Sequence, residues 1–132
     1  VSPSVVRLDD SECVIKIPLN RRTKNHLNSM YFGVLATGAD LAGGLVAMKE
    51  ITDSKKKVAL SFKDFHAEFL KRAEGDVHFI CTQIPEIKNF VAEVIASGER
   101  MNFPVKIEAV VPSIGPEPVA KFVLTLSLKL KA

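Results

Sequence analysis

Residues Tyr31–Met48 read YFGVLATGADLAGGLVAM, 18 residues in a row with one charge, Asp40, and four glycines, Gly33, Gly38, Gly43 and Gly44. A membrane span needs about 20 apolar residues, so the stretch has to be weighed as one. A carboxylate near its middle costs roughly 3 kcal/mol on insertion scales, and each glycine weakens a helix by about 1 kcal/mol relative to alanine. The segment therefore reads as a helix buried in a folded domain and not as a span. It should run from Asn28 or Ser29, either of which can cap its first turn, to Glu50. Being apolar nearly all round, it is expected to be enclosed on most sides.

On both sides of this helix the pattern changes to period two. Val5–Leu8 and Cys13–Leu19 read as strands around the turn Asp9-Asp10-Ser11. In the second, Cys13, Ile15, Ile17 and Leu19 share a face. Asn20–Ser29 is polar and carries Arg21, Arg22 and Lys24, so it is a loop. After the polar turn Thr52–Lys57, Val58–Leu70 reads as a long strand whose apolar face runs Val58, Leu60, Phe62 and then shifts to Phe65, Ala67, Phe69. That change of parity at Lys63-Asp64 predicts a β-bulge or bend. Val77–Gln83 is a further strand. Pro85–Ser97 reads as an amphipathic helix, with Pro85 in its first turn, Gly98 at its C-cap, and a stripe of Ile87, Phe90, Val91, Val94 and Ile95. Val105–Val111 and Val119–Leu130 are the last strands, joined by a Pro/Gly turn. The order β-β-α-β-β-α-β-β implies an α+β fold, in which one curved antiparallel sheet wraps around the central apolar helix. The second helix should cover an edge or the outer side.

The 132 residues match one domain, taken as 1–132. With 47% apolar residues, 25% charged residues and a net charge of +3, the chain is no disordered tail, and it has no basic field that would argue for nucleic acid. Cys13 and Cys81 form no CxxC or Cys/His cluster, and no metal site is expected, since His66 and Glu68 lack a third ligand. Both cysteines read as small buried hydrophobes in a reducing compartment. No signal-peptide pattern follows Val1, and the expected location is cytoplasmic.

The chemistry-bearing candidate is Asp40. Helical spacing puts Gly33, Ala36, Thr37, Asp40, Gly43, Gly44 and Ala47 on roughly one face, small enough for a backbone or a slender ligand to approach closely. Two readings stand. Small residues let the helix pack on the sheet while Asp40 bonds a buried amide, or Asp40 is a functional acid lining a groove.

Asn25-x5-Tyr31-Phe32-Gly33-x6-Asp40 resembles the Asn-x5-His-Gly-Gly-x6-Asp pattern of hot-dog-fold acyl-CoA thioesterases of the phenylacetate-pathway type, and the element order resembles that fold with an added second helix. The resemblance implies that Asp40 acts as nucleophile or as general base for a water attacking the thioester. It implies that Asn25 positions the water or the thioester, and that the amide at Phe32, followed by the retained Gly33, polarises the carbonyl. Tyr31 stands where the family has His, and Phe32 where it has Gly. Any residue except proline supplies a backbone N–H, and a helix N-terminus suits a developing oxyanion. The resemblance also implies a homodimer or tetramer, with Asp from one subunit facing the loop of another. CoA enters as part of the substrate, and no separate cofactor is expected. The charged turn Lys55, Lys56, Lys57 and the single Arg72 are candidates for its phosphates, with Arg21 and Arg22 as competitors. His26, His66 and His78 are read as solvated or structural. The expectation is thioester hydrolysis. The alternatives are a non-catalytic acyl or small-lipid binding module on the same fold, favoured by Tyr31-Phe32, and a purely structural domain with Asp40 buried and bonded.

Overall fold

The computed structural model describes residues 3–27 and 29–131. Eight elements follow in the expected order: β1 (Ser4–Leu8), β2 (Cys13–Ile17), α1 (Phe32–Ser54), β3 (Val58–Phe69), β4 (Val77–Cys81), α2 (Ile84–Ser97), β5 (Met101–Val110) and β6 (Pro118–Leu130). The strands form one antiparallel, curved sheet in the order β1-β2-β4-β5-β6-β3. Chain neighbours β3 and β4 therefore lie far apart in the sheet, and long β3 forms an edge.

The inner face is the one the alternation marks. Phe122, Leu124, Leu126 and Leu128 of β6 are buried. Opposite them, β3 presents Ala67, Phe65, Phe62 and Leu60. The register slips between Phe62 and Asp64, which is the bulge the parity change predicted. It returns both phenylalanines to one side of the strand. One continuous apolar cluster fills the space under α1 and α2.

Three expectations about the helices are corrected. First, α1 is not enclosed. It buries one stripe, Leu35, Gly38, Ala39, Ala42, Gly43, Val46, Ala47 and Ile51, against β2, β4 and β5, and leaves Phe32, Gly33, Thr37, Asp40 and Met48 in the open. It is long and apolar enough to cross a membrane by length and composition, and its apolar stripe lies on the sheet. Second, α1 starts at Phe32, with Tyr31 as N-cap and no side-chain cap, and it runs on to Ser54. Asn28 lies outside the described residues. Ser29 cannot cap because the loop claims its backbone: Asn25 N donates to Ser29 O, Ser29 N to Asn25 Oδ1, Met30 N to Ala73 O and Tyr31 N to Thr23 O. The chain is strapped down until Tyr31, and helical geometry begins only after it. Third, α2 lies on the same side as α1. It packs beside α1 and against β5 and β6, with Ile87 and Val94 fully buried and Phe90 stacked on Phe103 at 5.3 Å. Its buried stripe, Ile84, Ile87, Phe90, Val91 and Val94, joins the same apolar cluster as that of α1.

Candidate active site

Asp40 stands on the open side of α1, about 12 Å along the axis from Phe32 at ~1.5 Å per residue. It rims a groove of about 290 Å³ with Ala36, Thr37, Phe62, Phe65 and Leu124. Asp40 makes no hydrogen bond or ion pair among the described residues. The reading in which it bonds a buried amide is thereby removed. The bulge is what brings β3 into this groove, since Phe62 and Phe65 could not share a face without it. Both lie on the strand's apolar face, yet Phe65 is 43% exposed. Thr37 turns its hydroxyl back along the helix, donating to Gly33 O at 2.9 Å.

At the head of α1, Val34 N and Leu35 N both donate to Tyr31 O, at 3.1 and 3.0 Å. The amides of Phe32 and Gly33 have no acceptor among the described residues. No acidic residue occupies the first turn, so the positive end of the helix dipole is not compensated there. Asn25 is half-buried in the preceding loop. Its Oδ1 accepts from Leu27 N at 2.9 Å and from Ser29 N at 3.1 Å. The side-chain carbonyl is thus consumed in holding the loop, and Nδ2 is the group left to donate outward. Ser29 Oγ, in the same loop, is buried without a hydrogen-bond partner among the described residues.

The four predicted catalytic residues therefore form two groups. Asn25, Phe32 and Gly33 belong to the head of the helix, while Asp40 belongs to the groove two turns further on. Neither Asn25 nor the two amides line the Asp40 groove. The phosphate candidates are divided as well. Arg72 is exposed in the segment whose Ala73 O accepts from Met30 N, near the head of α1. Lys55, Lys56 and Lys57 follow its tail, where Lys55 forms the left-handed C-cap with φ 61°. The 23-residue helix puts about 34 Å between the two ends, so no single phosphate meets both sets within one chain. Lys56 lines a different groove, about 450 Å³ between α1 and α2, with Glu50, Asp53 and Lys88 around it.

Aromatic rings surround the head of α1. Phe32 is 74% exposed and meets Phe69 edge-on at 6.3 Å; Phe69 meets Phe122 at 6.1 Å, and Phe122 meets buried Phe79 at 6.5 Å. Tyr31 and Leu70 extend this open apolar area. Phe69, expected only on the apolar face of its strand, stands at the end of the edge strand β3 and is 49% exposed.

The model of a family described as a domain of unknown function, DUF4442, matches residues 1–121. No curated protein matches the chain. Among solved structures, a Chlorobaculum tepidum protein of unknown function aligns with TM-score 0.84 at 13% identity, covering 98% of this chain and 83% of its own. A Pseudomonas aeruginosa protein of unknown function, described as a probable thioesterase, aligns with TM-score 0.82 at 22% identity and the same coverage. A thioesterase from Haemophilus influenzae aligns with TM-score 0.70 at 13% identity, covering 97% of this chain and 78% of its own. At these identities the likeness establishes the fold, which is the hot-dog fold.

Proposed function

The chain belongs to the DUF4442 family, and on that premise we propose that it is a thioester hydrolase acting on an acyl-CoA or a related thioester. The observation that carries this reading is Asp40: a carboxylate on the open side of a core helix, unpaired among the described residues, at the rim of an apolar groove. A carboxylate that stabilises nothing in the fold is available to a ligand. The thioesterases among the structural relatives support the class of reaction.

In this reading Asp40 takes a proton from a water as that water attacks the thioester carbonyl carbon. The oxygen becomes an oxyanion and is held by the Phe32 and Gly33 amides, with Asn25 Nδ2 as a further donor. The carbon–sulfur bond then breaks, and the CoA thiolate leaves and is reprotonated. One such amide donor is worth about 3 kcal/mol. Because the amides and Asp40 stand two turns apart, the site is composite, with Asp40 of one subunit facing the helix head of another in a homodimer or tetramer. The unpaired outer edge of the 12-residue strand β3 and the open aromatics Phe32, Phe65 and Phe69 support such an assembly. Arg72, on the side of the helix head, is the phosphate contact of choice over the lysines. The site is placed in the cytoplasm, where CoA esters and reduced cysteines coexist.

Steady-state hydrolysis of a panel of acyl-CoA esters tests this reading, with sedimentation on the same sample. Turnover of at least one ester by a dimer or larger species is expected, and a strict monomer removes the composite site. The second reading, a non-catalytic acyl or small-lipid binder, is favoured by the exposed Tyr31-Phe32 pair and predicts a ligand retained in native mass spectra with no thioester turned over.

A further inference from the structure

Cys13 opens β2, Cys81 closes β4, and the two are direct cross-strand partners in the antiparallel register. They head a row of three inward pairs, Cys13–Cys81, Ile15–Phe79 and Ile17–Val77, all buried. Both thiols are free. Directly opposed residues of an antiparallel pair have α-carbons about 4.5–5.5 Å apart, inside the roughly 4.4–6.8 Å range that a disulfide bridges without backbone movement. Since both side chains project to the same face of the sheet, the two sulfurs share one pocket of the core. We propose that Cys13 and Cys81 form a dithiol–disulfide couple, an oxidation site at which a hydroperoxide converts the two thiols into a cross-strand disulfide.

The steps balance as follows. One cysteine thiolate attacks a peroxide oxygen, the O–O bond breaks, and the leaving oxygen departs with the thiol's proton as water (or an alcohol), leaving a sulfenic acid. The second cysteine attacks that sulfur, the S–S bond forms, the S–O bond breaks, and the hydroxyl leaves as water with the second proton. The two sulfurs lose two electrons and the peroxide gains them. A small neutral peroxide is the oxidant that fits, because both cysteines are fully buried. The pair sits at the ends of its two strands, next to the turn before Cys13 and the start of α2, so access requires only a local opening of those strand ends. Burial, together with neighbouring Cys81, pushes the Cys13 thiol up to about 11, and burial raises Cys81 as well. Burial thus disfavours the thiolate, and oxidation is expected to be slow. The cross-link would enclose the whole segment carrying Asn25, α1 and β3, and hence every proposed catalytic group.

The test treats the folded, full chain with hydrogen peroxide, then denatures it in an alkylating reagent and measures the intact mass. The expected product is a monomer about 2 Da lighter than the reduced protein, unalkylated and restored by a dithiol reductant. Peptide mapping without reductant should join Cys13 to Cys81, and the oxidised form should melt several degrees higher than the reduced one. Cys13→Ala and Cys81→Ala should each abolish the lighter monomer; if either fails to fold, mass and mapping of the unmodified chain decide alone. Two alkylated thiols after peroxide, a single cysteine carried on to sulfinic acid, a disulfide only between chains, or one formed only in denaturant overturns the proposal.

Discussion

Gly38 and Gly33 lie five residues apart on α1, and their surroundings have nothing in common. A Cβ added at Gly38 would stand 2.2 Å from the ring of buried Phe79, while one added at Gly33 would meet nothing within 4 Å. Gly43 resembles Gly38, with Val105 Cγ1 at 3.2 Å from the same imagined atom. Gly38 is explained by the fold itself, because helix and sheet approach too closely there for a side chain, and at Gly43 the fit is tight. Among the described residues, nothing packs on Gly33, accepts from the amides beside it or pairs with Asp40. The inner side of the helix is accounted for by packing, and the outer side is where the proposed ligand or partner would lie.

The largest expected effect comes from Asp40→Asn. If Asp40 is the base, the rate of thioester hydrolysis should fall by roughly 10²–10⁴, about 3–5.5 kcal/mol. Because Asp40 is exposed and unpaired among the described residues, stability in urea should stay within about 0.5 kcal/mol. Equal rates for the two proteins would take Asp40 out of the mechanism and reduce the outer side to an inert surface. A loss of both rate and fold would instead move Asp40 to the inner side of the comparison.

Next is the pair Phe32→Pro and Phe32→Ala. Tyr31 has φ −56° and ψ 139°, the extended conformation that a residue before proline prefers, and proline is well tolerated at the first helical position. Both variants lose the ring and its edge contact with Phe69, but only proline loses the N–H. A kcat lower by roughly 10²–10³ for the proline variant relative to the alanine variant is expected if that amide holds the oxyanion. Identical kcat values would assign the polarisation elsewhere.

These contrasts also explain how much the sequence could say. The succession of elements along the chain, the bulge at Lys63-Asp64 and the inner row of β6 were legible, because a strand's two faces are written into alternate residues; the place of β3 beside β6 was not, since pairing between distant strands leaves no local mark. The open side of α1 was not legible, since Leu, Ala and Gly look alike whether they face a sheet or solvent. Counting apolar residues therefore predicted enclosure. The start of α1 was hidden for another reason: Ser29 has a capping side chain, but the loop folds back so that Tyr31 N reaches Thr23 O, and Met30 N is held by Ala73 of a distant segment, which local sequence does not record. Asp40 was found because a lone charge in such a helix is conspicuous. Phe62 and Phe65 were missed as groove walls because a phenylalanine on an inner face reads as core until the edge of the sheet is located.

Gly38→Ala tests the inner side directly. The Phe79 ring would have to shift by about an ångström within a filled core, and a loss of about 1–3 kcal/mol is expected in urea unfolding, even though alanine favours the helix by up to about 1 kcal/mol. An unchanged or raised midpoint would show that the helix can lift off the sheet freely, and the contrast between the two sides would lose its basis.

Gly33→Ala has the smallest expected effect and separates the sides most cleanly. The new methyl meets nothing within 4 Å among the described residues, the backbone there needs no positive φ, and alanine is the better helix former, so stability should rise by less than about 1 kcal/mol. The N–H survives, so polarisation of the carbonyl and hence kcat should persist. What changes is the space beside the helix head, which in this reading is where the thioester lies. One misplaced methyl is worth about 1 kcal/mol or somewhat more in a binding pocket, so KM should rise several-fold at constant kcat. A stabilised protein with unaltered KM would mean that no ligand passes over Gly33. The two amides would then be free only because helices begin that way, and the outer side of α1 would hold Asp40 alone as its functional group.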